Sequence, residues 1–193
     1  MSKPSNKATL LSVGLRMWEE GVTPREEWMA GERIPVTTRK GRAQIQERLS
    51  HFDRLERFAV LATDNEGHPY TSLVAFALTP DLKQLVFATP KATRKYRNIV
   101  KGKHVALLLD NRAGDKKDVM SAEAITIVGM ARPLRKGGHR DGLAALFLEK
   151  HPDLTVFVDS PTTALICVDI QECVHVGRFQ TVTVWAMKHH QEE

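Results

Sequence analysis

The chain has 193 residues, a globular composition and a formal net charge of +5, which suits one domain plus an extension and allows a phosphate, nucleic-acid or anionic-surface partner. Two cysteines, Cys167 and Cys173, are too few for a disulfide framework, and no run approaches the roughly 18 apolar residues of a transmembrane helix. Without a recognisable signal peptide, these features favour a soluble cytoplasmic protein with buried thiols and exclude the disulfide-rich and membrane-spanning classes.

The first 43 residues read as an N-terminal extension, followed by one domain at 44–188 and a tail at 189–193. In the extension, Trp18 and Trp28 are scattered among charges and turn residues. Because two tryptophans carry much apolar area, we expect parts of this segment to dock on the domain or on a second subunit.

The first half of the domain has the pattern of a helix followed by three strands. A helix over residues 43–57 is predicted by apolar positions spaced four, three and three apart: Ile45, Leu49, Phe52 and Leu55. Strands follow at 58–63, 68–78 and 84–88, joined by short segments of turn composition. Short connections between successive strands favour an antiparallel sheet over a parallel α/β arrangement.

The second half of the domain continues this pattern. A basic helix is predicted from Lys91 to Gly102 and a one-sided helix over 140–150, while 113–120 is a polar loop. Further strands are predicted at 105–109, 122–132, 163–176 and 180–187. Seven strands in short antiparallel steps predict a mainly β (α+β) barrel with helices attached at its ends.

The start of the basic helix concentrates hydroxyl groups and cations. Unpaired backbone N–H groups and the positive end of the helix dipole attract anions there. Thr89 and Thr93 could add hydroxyl donors. Arg94 could donate two parallel hydrogen bonds to a phosphate, and Lys95 could add a positive charge. From spacing alone, a solvated basic helix face is as good an interpretation as a phosphate site.

Several segments, in this order, resemble the pyridoxamine 5'-phosphate oxidase-related flavoproteins. They are LVFAT at 85–89, TRK at 93–95 and VALLLDNR at 105–112, preceded by a helix and a hairpin containing Gly67, His68 and Pro69. The similarity spans roughly residues 44–187. It implies an FMN-binding split β-barrel.

The resemblance also implies a cofactor site. In the family, FMN lies at a homodimer interface, its phosphate held at the helix start and its ring by backbone of the long second strand. The cofactor-binding residues implied here are Ser72, Leu73, Val74, Ala88, Thr89, Thr93, Arg94, Lys95, Asn98, Asp110, Asn111, Arg112 and Trp185. Asn98 is expected to support the phosphate loop, with residues 110–112 near the ring or the facing subunit. For Asp110, a strand-end turn residue is an equal interpretation.

The chain departs from the true oxidase at defined positions. Ser72 stands where the oxidase has an arginine, and no Arg-x-His pair occurs in the C-terminal third, although Trp185 could replace the family's tryptophan. Pyridoxamine phosphate oxidation itself is therefore not expected. No metal-binding spacing is present, and no side chain is assigned a catalytic role.

These patterns together predict an FMN-dependent oxidoreductase acting on a small molecule. A first alternative is a non-enzymatic, haem-binding or deazaflavin-binding member of the same fold. A basic barrel that binds nucleic acid ranks third, because base stacking needs aromatic side chains and residues 91–103 offer only Tyr96. The short basic run Arg39–Arg42 is similarly expected to be a solvated linker rather than a nucleic-acid patch.

Overall fold

A computed structural model describes residues 37–111, 121–177 and 181–187 of the chain. The predicted extension up to residue 36, with Trp18 and Trp28, the 113–120 loop and the 189–193 tail lie outside them. The strands are β1 Thr37–Lys40, β2 Phe58–Asn65, β3 His68–Leu78, β4 Gln84–Pro90, β5 His104–Asp110, β6 Ala124–Pro133, β7 Thr163–Gly177 and β8 Thr181–Ala186. The α-helices are α1 Arg42–Leu55, α2 Arg94–Gly102, α3 Gly138–Lys150 and α4 Thr155–Asp159.

Six of the strands close into an antiparallel barrel, in the order β7-β4-β3-β2-β5-β6 and back to β7. The ring closes through β7, whose first half pairs with β4 while Ile166–Val176 pairs with β6. Its length lets β7 pair with three strands, β4 and then β8 along one edge and β6 along the other. The predicted fold class, a mainly β split barrel with peripheral helices, is confirmed.

Two strands extend the sheet beyond the ring. The last residues of β7 pair with β8, and β1 pairs in parallel with β8 from Thr37 opposite Thr181. The expectation of a solvated linker is therefore wrong for Arg39 and Lys40, which belong to a strand. Neither the short polar sequence nor its neighbours signal this pairing, because the partner strand lies at the other end of the domain.

The barrel interior is apolar and is closed at its ends by α1 and α2. Phe76 and Phe87 fill it from the strands, and α1 inserts Phe52 together with Ile45 and Leu49. Three of the four predicted apolar positions of α1 are therefore buried, whereas the fourth, Leu55, is 63% exposed. α2 contributes Ile99 to the same core. The two helices stand at opposite ends of β2, because α1 leads into Phe58 whereas Lys101 of α2 donates to Asn65.

A second apolar cluster lies on the outside of the barrel. Here Leu143 and Phe147 of α3 pack on the outward side chains Val86, Leu165 and Cys167. The helix thus covers the outer face of β4 and β7 and does not cover the outer face of β2 and β5.

Both thiols are fully buried and unpaired, as predicted. Burial raises the pKa of Cys167 to about 11 and that of Cys173 to about 12, so both stay protonated near neutral pH. None of the described helices has the length and apolar character needed to cross a membrane.

Candidate functional site

The connection from β4 into α2 is shaped by two threonine hydroxyl groups. Thr93 Oγ1 accepts the N–H of Tyr96 at 3.4 Å and donates to the carbonyl of Pro90 at 2.8 Å. Thr89 Oγ1, which is buried, lies 3.1 Å from Thr93 Oγ1. Since the hydrogen of Thr93 is already directed at Pro90, Thr89 is the donor of this pair. Both hydroxyl groups therefore hold the turn in shape.

Some of the cationic side chains at this helix start donate hydrogen bonds within the protein, and others do not. Lys91 Nζ donates to the carbonyl of Pro161 and Arg97 to that of Ala92, each at 2.8 Å. By contrast, the side chains of Arg94 and Lys95 make neither a hydrogen bond nor an ion pair among the residues that the structure describes. Two positive charges are therefore uncompensated at the end of the helix where an anion is most favourable.

Arg94 and Lys95 differ in their surroundings. The guanidinium of Arg94 is exposed and lies 4.8 Å from the ring centroid of Tyr70 on β3, a cation–π contact that links the helix start to that strand. Lys95 is half-buried, and burial lowers the pKa of its ammonium group. A bound anion would offset the cost of keeping that charge out of water.

Asn98 fixes α2 to the barrel. Its buried side chain donates from Nδ2 to Thr63 Oγ1 at 3.0 Å, and Thr63 donates in turn to the carbonyl of Tyr70 at 3.3 Å. This chain of hydrogen bonds runs from α2 through β2 to β3. Asn98 thus positions α2 against the strand that carries Tyr70, and its support of a phosphate-binding loop stays a prediction.

One edge of β3 is open beside this helix. Only Phe76–Leu78 of β3 pairs with β4, whereas β2 pairs with the whole of His68–Ala75 on the other side. Within the described part of the chain, the β4-facing edge of that segment therefore has no strand partner. An unpaired edge presents N–H and C=O groups in alternation.

The predicted ring-binding residues lie on this segment. Ser72 Oγ is buried and has no hydrogen-bond partner in the described structure, which is a rare condition for a polar atom. Val74 faces the barrel core, while Leu73 points outward and is 60% exposed. Ala88 packs with the outer cluster under α3.

Three other predicted residues lie at the far end of the barrel. Val105 of β5 pairs with Thr63 beside α2, but Asp110 is five positions further, about 17 Å along the strand. Asn111 accepts the N–H of Glu123 at 3.0 Å and so fastens the start of β6. Trp185 packs against the core, with the guanidinium carbon of Arg42 5.6 Å from its ring centroid. Arg112 lies outside the described residues.

Sequence reasoning missed a buried polar cluster at that far end. His175 and Thr183 face each other across β7 and β8 and are almost fully buried. Glu123 pairs with Arg48 of α1 and has its Oε2 3.8 Å from His175 Nε2. Neither ring nitrogen of His175 has a hydrogen-bond partner in the described structure. Long-range pairing creates this cluster, so no local motif signals it.

Tyr70 was also missed. It points to the same side of β3 as Ser72, and within the described residues its ring is the part of β3 that contacts the Arg94 side chain. Alternation along the predicted strand could have indicated it. No group of three or more His, Cys, Asp or Glu residues suited to a metal ion occurs within the described ranges.

A family model described as pyridoxamine 5'-phosphate oxidase matches residues 42–177, which is more than half of the chain. The chain belongs to the pyridoxamine 5'-phosphate oxidase family. The match runs from α1 to the end of β7 and so includes the whole closed barrel and the α2 start. A search of curated proteins finds no significant match.

Solved structures of low sequence identity share this family fold. A haem-binding protein from Mycobacterium smegmatis has a TM-score of 0.67 at 17% identity, covering 76% of this chain and 59% of its own. A putative pyridoxamine 5'-phosphate oxidase from Listeria innocua has 0.52 at 16%, covering 67% and 95%. A FAD-binding protein from Mesorhizobium loti has 0.53 at 15%, covering 67% and 91%.

Proposed function

We propose that the chain binds FMN between the start of α2 and the open edge of β3 and works as a flavin-dependent oxidoreductase on a small molecule. The observation that carries this proposal is the juxtaposition of two uncompensated cations, Arg94 and Lys95, with an unpaired strand edge. The Arg94–Tyr70 contact joins the two parts. Membership of a flavin-binding family agrees with it.

The α2 end suits the FMN phosphate. Arg94 can donate two parallel hydrogen bonds to a phosphate, and Lys95 adds a positive charge whose hydration is reduced by burial. The backbone N–H groups of these residues belong to the first helical turn, where no intrahelical acceptor exists. Thr89, Thr93 and Asn98 serve this site by fixing the turn and the helix.

The β3 edge suits the flavin ring. The pyrimidine part of a flavin alternates donors and acceptors, as does the backbone from Ser72 to Val74 along an unpaired edge. The buried, unpartnered Ser72 Oγ is a further group that a ligand could satisfy. When bound, the flavin supplies hydride chemistry, and the protein contributes orientation and a shaped, water-poor surface.

We also propose a homodimer in which a second subunit completes the site. Within one chain, Asp110, Asn111 and Trp185 lie at the opposite end of the barrel from Arg94. A second copy of the chain would bring such residues to the flavin. The absence of the oxidase's arginine at Ser72 and of an Arg-x-His pair supports a substrate other than pyridoxamine phosphate.

FMN titration of Arg94→Ala tests the phosphate site. We expect binding to weaken by about 1.5–3 kcal/mol, which is roughly 10- to 150-fold in Kd, because a hydrogen bond to a charged group is lost. Arg97→Ala is the matched control, since Arg97 is one turn away and donates to the carbonyl of Ala92. An unchanged Kd for Arg94→Ala would remove FMN from this helix start.

Haem binding without flavin turnover is the second candidate. It is favoured by the haem-binding protein among the structural neighbours. The visible absorption spectrum of the purified protein separates the two, because a flavin and a haem have different bands. Saturable haem binding with no response to FMN would replace the oxidoreductase proposal.

A further inference from the structure

A groove of about 330 Å³ lies between α2 and the end of β6, and neither Arg94 nor Lys95 lines it. α2 lines it with Tyr96 and Val100, which are four positions apart and so share one helix face, and Lys103, the residue that follows the helix, lines it as well. Arg132 and Arg135 line its other side. This volume is within the usual range for a small-molecule site.

Three polar groups in this groove are uncommitted. Arg132 is held by Asp169, whose Oδ2 accepts from Nε at 3.1 Å. In contrast, the side chains of Tyr96, Lys103 and Arg135 make no hydrogen bond or ion pair in the part of the chain that the structure describes. A phenol, an ammonium and a guanidinium group therefore remain available to one ligand.

Charge limits the kind of ligand. Three cationic residues line the groove, and no acidic residue does. A carboxylate or phosphate group would find charge-assisted hydrogen bonds here, whereas a cation would be repelled. The anion can be either a carboxylate or a phosphate, because a guanidinium group binds both with paired hydrogen bonds.

The uncharged residues of the lining further restrict the kind of ligand that fits the groove. Val100 is 52% exposed, and Leu134 and Tyr96 are half-buried, so the groove offers apolar and aromatic surface beside its charges. A flat apolar body would cover that surface, and an aromatic ring could stack on Tyr96. An inorganic anion alone would leave it exposed to water.

We propose that this groove binds a small aromatic anion, a ring compound bearing a carboxylate or a phosphate, with Lys103 and Arg135 as the residues that hold the charge. The groove is lined by neither Arg94 nor Lys95, so this proposal does not depend on FMN binding.

The test uses the full chain saturated with FMN, or without it if FMN does not bind, and two probes, 2-naphthoate and 1-naphthyl phosphate. Saturable binding is expected for at least one probe, and their relative affinities identify the preferred anion. Arg135→Glu and Lys103→Glu should each weaken binding about tenfold or more. Val100→Asp should do the same by placing a like charge and removing apolar surface.

Lys136→Glu is the matched control, because it makes the same charge change at an exposed residue outside the lining. It should leave probe binding within about twofold, because Lys136 does not contact the groove and water and salt screen its exposed charge. Thermal unfolding of each variant verifies the fold. The proposal is overturned if neither probe binds saturably, if Arg135→Glu and Lys136→Glu have equal effects, or if a short oligonucleotide displaces the probes at lower concentration, which would assign the groove to nucleic acid.

Discussion

His175 is a titratable side chain that the barrel encloses without a hydrogen bond in the described structure. It is 5% exposed, and burial lowers its pKa below the ordinary value of 6.5, with the nearby Arg48 acting in the same direction and Glu123 opposing it. An unfolded chain therefore takes up this proton at a higher pH than the folded chain. Stability contributed by neutral His175 is complete above about pH 6.5 and is lost as the pH falls below it.

We expect the free energy of unfolding to decrease between about pH 7.5 and about pH 5, measured by urea denaturation at several pH values. The buried His151 has a lowered pKa for the same reason, so it adds to the slope. His175→Gln keeps a polar side chain but cannot titrate, and its pH dependence should be shallower than that of the natural chain. Parallel curves for the two proteins would show that His175 is not a source of the effect.

At the scale of the element, a bulge in β7 depends on one glycine of β6, because Val128 pairs with Glu172 and Gly129 with Ile170, which leaves Gln171 as the extra residue. The register with β7 shifts between Val128 and Gly129, and a Cβ at position 129 would lie 2.4 Å from the carbonyl oxygen of Asp169. Because that oxygen is backbone, the strand itself would have to move. We expect Gly129→Ala to destabilise the fold by about 1–3 kcal/mol in urea denaturation.

Gly142→Ala is the control for this substitution, because Gly142 is an exposed position on α3 and a Cβ there meets nothing within 4 Å. It should be neutral or slightly stabilising, since alanine favours a helix over glycine by about 1 kcal/mol. Equal stability of the two variants would mean that β6 can relax around the new methyl group.

The elements that sequence could predict are those with a local signal. Gly67 and the turn residues around it marked the β2–β3 hairpin, and the spacing from Ile45 to Phe52 marked α1; both are present. β1 was missed because its four residues are polar and its parallel partner, β8, is remote in sequence. The short helix α4 was also missed, since five residues are too few for a helical period to show.

The candidate site likewise has parts that could be predicted from the sequence and parts that could not. The β4–α2 turn could be predicted because Thr93 and Arg94 are neighbours in sequence, as are the residues from Ser72 to Val74. The open edge of β3 could not, since it depends on where β4 stops pairing. The distance between Arg94 and Trp185 follows from barrel closure, which is a long-range property of all six strands.

At the scale of the whole molecule, the barrel has an apolar face that the described residues leave partly exposed. Val60 pairs with Leu73 on one side and with Leu108 on the other, so these side chains form a row across β3, β2 and β5. Leu73 is 60% exposed and Phe58, at the start of β2, is 54% exposed. This surface adjoins the β3 segment proposed to contact the flavin ring, so a second barrel packed there would also enclose the cofactor.

Leu73→Asp should therefore convert the proposed dimer to a monomer and weaken FMN binding with it, because an unpaired charge would have to be buried at the interface. Val156→Asp is the matched control, since Val156 is even more exposed, at 86%, but lies on α4. Light scattering gives the mass of each variant, and FMN titration gives its affinity. If the natural chain is monomeric at micromolar concentration yet binds FMN as tightly as a dimer would, one barrel is sufficient for the site. In that case the apolar row on β3, β2 and β5 would need another explanation.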